Sequence, residues 1–250
     1  MRILITNDDG INARGLEVLA QVAREVSDVD VVAPDREQSG ASHSLTLHRP
    51  LRPMQRPDGT YQVDGTPTDC VLLALGELLE EKPHFVFSGI NHGPNMGEDV
   101  LYSGTVAAAM EGLSLGAIPG IAISLAGGDF SLLETHHEWI RRLVTQIVSV
   151  SEFPKETLLN VNIPAIPGDE IRGIRTTTLG NRVYSDSLVE TKDPWGRTVY
   201  WIGGGHISWS GREDCDFRVV QDGYISVTPL HLDLTNYELL EDVRGWNLGV

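Results

Sequence analysis

The sequence predicts an α/β protein built on a mostly parallel sheet, and three observations carry that prediction. Residues 2–6 form a short apolar, β-branched run, followed by an apolar stripe at helical spacing (Leu16, Leu19, Ala20, Ala23, Val26) and a second apolar run over 29–33 closed by Pro34. Strand, helix, strand in forty residues is a βαβ unit with a right-handed crossover. Later runs at 85–87, 121–125 and 158–163 are apolar without alternation, which suits strands buried on both faces. Beyond about residue 171 the texture changes: runs at 172–178, 182–189 and 198–202 are separated by Gly, Asn and Asp-Pro turns, as in an antiparallel excursion.

The intervening elements follow in order. Residues 35–47 read as a polar loop. Residues 51–54 and 61–63 flank Pro57-Asp58-Gly59, a hairpin turn. Thr66-Pro67-Thr68-Asp69 has the chemistry of a helix start, and Val71, Leu72, Leu75, Leu78 and Leu79 continue it as an apolar stripe. Residues 105–115 form a helix rich in Ala and Gly, able to lie close to a sheet. Residues 132–150 read as the longest helix, 224–228 as the last strand and 239–246 as a terminal helix. Trp195, Tyr200, Trp201 and Trp209 give the excursion more apolar surface than a solvated hairpin needs; an oligomer contact and a satellite cluster both fit.

The 250 residues suffice for one large domain with a sizeable core, or for two small ones. A formal net charge of −16 disfavours a nucleic-acid polymer or an anionic membrane as partner. A small anionic substrate stays compatible if a bound cation reverses the field locally. Cys70 and Cys215 are too few for a disulfide framework; Cys70 lies in a helical stripe and reads as core. With no signal-peptide pattern and no apolar stretch of membrane-spanning length, the expected setting is soluble and cytoplasmic.

The chemistry concentrates where strands end. Asn7-Asp8-Asp9-Gly10 follows the first strand, and ligands of open α/β sheets bind at the carboxyl ends of strands. Two carboxylates about 4 Å apart repel by about 4 kcal/mol at an effective dielectric of ~20. A divalent cation such as Mg²⁺ or Mn²⁺ removes that penalty. A solvated turn fits the same residues. Ser39 and Asn91, in loops expected on the same edge, offer neutral oxygens to complete a hard-cation shell, and Gly40, Gly89 and Gly93 allow close backbone approach. Ser103-Gly104-Thr105 opens onto a helix. Capping alone needs no Gly between the hydroxyls, which favours an anion seat there.

Other chemistries lack support. No GxxxxGK[ST] loop is present, and Gly203-Gly204-Gly205 is not a dinucleotide fingerprint. His136-His137-Glu138 lacks HExxH spacing and reads as a solvated helix face. A zinc deacetylase would want a His beside its Asp pair and a later HxxH.

The stretches ITNDDG, APDREQSGAS, GTPTDCV, SGINHGPNMGEDVLYSGTVAAAMEG and TPLHLDLT together resemble the SurE (survival protein E) family of metal-dependent nucleotidases. That resemblance implies a Rossmann-like three-layer sandwich over 1–250: a core of about 1–178, a β-hairpin excursion of about 181–218, and a C-terminal strand and arm of about 222–250. It implies a hydrolase acting on nucleoside 5′- and 3′-monophosphates, some members also trimming polyphosphate. One divalent cation per subunit, Mg²⁺ or Mn²⁺, would be held by Asp8, Asp9, Ser39 and Asn91, with Asp8 and Asp9 catalytic. Phosphate would sit against Asn95, Ser103, Gly104 and Thr105, with Gly40, Ser42 and Ser44 nearby. A homodimer or homotetramer with exchanged C-terminal arms is implied too. The competing class is a non-catalytic nucleotide sensor on the same scaffold, which would not need both carboxylates.

Overall fold

The computed structural model describes residues 1–154, 156–185, 188–202 and 206–246. Gly203-Gly204-Gly205 and part of the 182–189 run lie outside them. The strands are β1 (Arg2–Thr6), β2 (Asp28–Pro34), β3 (Pro53–Gln55), β4 (Tyr61–Val63), β5 (Phe85–His92), β6 (Gly120–Ala126), β7 (Leu158–Pro164), β8 (Ile174–Thr176), β9 (Asn181–Ser185), β10 (Leu188–Lys192), β11 (Thr198–Ile202), β12 (His206–Ser210) and β13 (Ile225–Leu230). The helices are α1 (Arg14–Arg24), α2 (Pro67–Leu73), α3 (Gly104–Gly116), α4 (His137–Val148), α5 (Asp216–Gln221) and α6 (Leu240–Gly245).

Nine strands form one sheet in the order β3-β4-β2-β1-β5-β6-β7-β13-β8. Pairings are parallel except β3–β4 and β7–β13. Alternate side chains serve opposite faces, as strand geometry requires. Ile3, Ile5, Phe85, Phe87, Ile121 and Ile123 pack with α1 and α4, whereas Leu4 and Val86 join the cluster of α2 and Ala122 that of α3. Helices on both faces of a mostly parallel sheet make the expected three layers. The small residues of α3 serve close packing: a Cβ at Gly112 would stand 2.5 Å from Val86 Cγ2.

Several expectations need correction. Ser88 to His92 is not loop but the end of β5, carried past a register shift between Ser88 and Asn91 that keeps it paired with β6. The 172–178 run contributes β8 to the main sheet, parallel to β13, rather than to the excursion. Residues 132–150 are not one helix: a 3-10 turn over Phe130–His136, opened by the Asp129 carboxylate accepting from Ser131 N–H, precedes α4, and α3 is the longer helix. His136 is fully buried against the Ile166 carbonyl, and burial lowers its pKa, so only His137 and Glu138 lie on a solvated face. Trp209 is not surplus surface but stacks on Phe217 at 5.2 Å. Helix α5 was not anticipated: it spans six residues and its start carries no side-chain cap. Cys70 is fully buried, as expected of core.

What positions the site is the strand order. The chain leaves β1 on one side for β2, while β5, β6 and β7 extend the sheet on the other. The crevice therefore opens at the carboxyl ends of β1 and β5, where the strand order reverses.

Candidate active site

The turn after β1 is stapled by its own residues. Asn7, fully buried, donates from Nδ2 to the Gly10 carbonyl at 3.0 Å and accepts from Gly10 N–H at 3.2 Å. Gly10 has φ +98°, and a Cβ there would meet the Arg36 backbone at 3.0 Å. Only glycine fits both demands. The second loop is tied to the first: Gln38 N–H donates to the Asp8 carbonyl at 2.8 Å, and Ile11 N–H to the Pro34 carbonyl at 2.8 Å. Each residue of Asn-Asp-Asp-Gly thus has a job, and the outer two fix the inner two.

Asp8 is 4% exposed, and its Oδ1 accepts from the Thr105 hydroxyl. Burial raises its pKa; the Thr105 hydroxyl and backbone N–H at the start of α3 pull the other way, and Glu37 adds to the rise. Asp9 accepts on Oδ2 from His92 N–H at 3.1 Å. Burial first, then the Asp8 charge, pushes it up to about 7. Among the described residues neither carboxylate forms an ion pair with Lys, Arg or His.

Gly104 has a reason beyond the one expected. A Cβ there would stand 2.9 Å from Asp8 Cβ, 3.1 Å from Asp8 Oδ2 and 3.1 Å from Pro67 Cγ. The glycine lets α3 approach Asp8, so the helix start is aimed first at an anion the chain itself supplies. Ser103 caps the helix, its Oγ accepting from Val106 N–H at 3.1 Å. That bond uses a lone pair and leaves the hydroxyl proton to donate.

Asp8, Ser39, Gly40, Asn91, Asn95 and Ser103 line one cleft of about 680 Å³, together with His92, Pro94, Asp99, Tyr102 and Ile202. No Lys or Arg is among those lining residues. Asn91 donates from Nδ2 to the Gly93 carbonyl at 2.8 Å, so its side-chain oxygen is what it has to offer. Ser39 is exposed and donates to Glu37 at 2.7 Å. Asn95 is buried, its Nδ2 on Ser124 Oγ at 2.8 Å. Thr105 and Gly104 stand behind Asp8. The Ser42 hydroxyl is spent on the Leu101 carbonyl at 2.5 Å, and the Ser44 carbonyl accepts from Thr66 at 2.7 Å; neither serine lines the cleft.

Sequence reasoning missed the groups that hold the site. Asn160 and Asn162 donate to the Asn95 carbonyl at 2.7 and 3.0 Å, and Asn162 accepts from Asn95 N–H at 2.9 Å. Two asparagines at i and i+2 in an otherwise apolar strand share one face, which was the available signal. Asp216 is fully buried and accepts from Gly97 N–H at 2.9 Å and Gly180 N–H at 2.9 Å, joining the turn before α3 to the base of the excursion.

The sequence model described as "Survival protein SurE" matches residues 3–186. The chain belongs to the SurE family. A relative from Gemmatimonas aurantiaca, named 5'-nucleotidase SurE, is 63% identical over 98% of each chain. One of the same name from Legionella pneumophila (strain Lens) is 48% identical over 98% of this chain and 96% of its own. The crystal structure of the SurE protein from Aquifex aeolicus superposes with a TM-score of 0.85 at 42% identity, covering 98% of this chain and 99% of that one. As a SurE family member the chain carries the family's Rossmann-like fold, and no described helix is long and apolar enough to cross a membrane.

Proposed function

We propose that this chain is a hydrolase that releases phosphate from nucleoside 5′- and 3′-monophosphates, with short polyphosphate as a further substrate, using one divalent cation, Mg²⁺ or Mn²⁺. The names of its relatives support the nucleotidase class. The observation that carries the reading is the Asp8–Asp9 pair, with Asp8 buried at a substrate-sized cleft that no Lys or Arg lines. A phosphate dianion entering beside these carboxylates needs a cation between.

The donor set fits such an ion. No group of three or more His, Cys, Asp or Glu among the described residues is arranged for a metal. Two carboxylates completed by the neutral oxygens of Ser39 and Asn91 are the hard-oxygen chemistry that Mg²⁺ or Mn²⁺ takes. The raised pKa values of both acids reflect burial without a compensating cation in the chain. When bound, the ion supplies charge compensation and Lewis-acid polarisation of the phosphate.

The chain's own residues do the rest. Thr105 fixes Asp8, and His92 N–H fixes one oxygen of Asp9. The other Asp9 oxygen has no donor among the described residues and is free to take a proton from the attacking water. The Ser103 hydroxyl donates to a phosphate oxygen, and Asn95, held by Asn160 and Asn162, closes that side. Donors fixed before the reaction cost no reorganisation as charge develops. The same reading treats 1–250 as one domain that works in the cytoplasm, and as a homodimer or homotetramer through the excursion and an exchanged C-terminal arm. The exposed Trp195, Trp201, Leu234 and Trp246 support the assembly.

The test is phosphate release from a panel of nucleoside monophosphates, with chelator and with added Mn²⁺ or Mg²⁺. Release should require the metal, and Asp9→Asn should lower it by about 10²-fold or more with the fold retained. Near-normal release by that variant at limiting Mn²⁺ sinks the assignment, and binding without turnover under either metal leaves the sensor.

A further inference from the structure

We infer that Tyr102 and Ile202 form the wall that receives the nucleobase, so that the excursion reads the nucleoside while the sheet edge handles the phosphate. The inference rests on the nucleotidase reading above. Inorganic phosphate would occupy a small part of a cleft of about 680 Å³, a volume within the range of small-molecule sites. The lining that the metal and phosphate groups leave over includes Pro94, Tyr102 and Ile202, which are apolar surfaces in a strongly acidic molecule.

Both large side chains stand in water. Tyr102 is 63% exposed and Ile202 90% exposed. The Tyr102 ring stacks on no other aromatic among the described residues. Its backbone, by contrast, is fixed: its N–H donates to the Asp99 carbonyl at 3.0 Å, and its carbonyl accepts from Ser42 N–H at 3.1 Å. An exposed ring on an anchored backbone, one residue before the Ser103 cap, is a preorganised platform beside the phosphate seat.

Ile202 reaches the same cleft from the far end of β11, and the excursion that carries it is latched to the turn that carries Tyr102. Arg182 pairs with Asp99 and its N–H donates to Glu98, while Asp216 holds Gly97 and Gly180 together. Base stacking on such a wall tolerates sequence, because every base has a π-face. Neither side chain offers an amide or charge to read base edges at the wall, so preference should follow ring size, purine over pyrimidine.

The experiment uses the full-length protein with Mn²⁺ and compares adenosine 5′-monophosphate, cytidine 5′-monophosphate and ribose 5-phosphate. Tyr102→Ala should lower the ratio of kcat/KM for the purine nucleotide to that for ribose 5-phosphate about tenfold, chiefly through KM. Ile202→Ala should lower it severalfold, and Tyr102→Phe, which keeps the ring, should preserve it. An unchanged ratio in Tyr102→Ala, with wild-type turnover intact, overturns the assignment alone. So does an equal loss on nucleotide and sugar phosphate. A wild-type protein inert toward all three substrates overturns the nucleotidase reading together with this wall.

Discussion

At the carboxyl edge of β1 and β5 polar groups are buried and held, whereas along β10 and β11 apolar groups stand in water. Asn7, Asp8, Asn95, Ser103 and Thr105 are all at most 7% exposed, and each has a hydrogen-bond partner. Trp195, Tyr200, Trp201 and Ile202 are between 62% and 90% exposed. Burying a polar group costs stability unless it is paired, so the first region has glycines and amides fitted around it. Leaving apolar surface in water costs as well, and that cost is relieved only when something covers it. The first region pairs its buried polar groups within the chain; the second leaves its apolar side chains uncovered.

Substitutions at the joint and in each region break this contrast to different degrees. The largest effect is expected at Asp216, whose carboxylate accepts from Gly97, Gly180 and Phe217 N–H at 2.9, 2.9 and 2.8 Å. Asp216→Ala strands those buried donors and should cost about 4 kcal/mol, read as a shift in the urea midpoint at constant slope. Next is Gly104→Ala, whose methyl would press on Asp8. Displacing a reacting group by about 1 Å costs about 10²-fold in rate, so kcat/KM should fall that far while the melting temperature moves by only a few degrees. Retained activity would show that Asp8 has slack.

A smaller effect comes from pH. Asp9 has its pKa raised from 3.8 to about 7, so the folded state binds the proton more tightly than the unfolded state does. Its contribution to stability is therefore present at low pH and declines as pH rises from about 4 to about 7. Added Mn²⁺ favours the ionised pair, so the rise in melting temperature on adding Mn²⁺ should be greater at pH 8 than at pH 5. An equal rise at both would detach the carboxylates from the metal. Trp195→Ser, in the exposed region, should change the stability of the subunit by less than about 0.5 kcal/mol, while shifting the oligomer distribution in sedimentation.

Much of the fold was legible because local burial writes a period into the chain. The stripe at Leu16, Leu19 and Ala23 became α1, and the unbroken apolar runs became β1, β6 and β7. Misreadings fell where tertiary contacts overrode local texture. The polar Ser88-Gly89-Ile90-Asn91-His92 stays in β5 because β6 pairs with it across a bulge, and His136 is buried because the Ile166 carbonyl receives it. The site was legible as residue types and only partly as roles. Thr105, expected to bind phosphate, has its hydroxyl on Asp8, and Gly104, expected at an anion seat, also leaves room for the Asp8 side chain.

By itself the sequence determined the α/β class and the placing of a carboxylate pair at the end of a buried strand. These follow from periodicity and from charge, which are local. The tertiary structure decided that α3 points at Asp8, that Asn160 and Asn162 hold Asn95, and that Tyr102 and Ile202 face one cleft. Those meetings depend on strand order and on close approach between segments remote in the chain, for which no local pattern of residues carries a period.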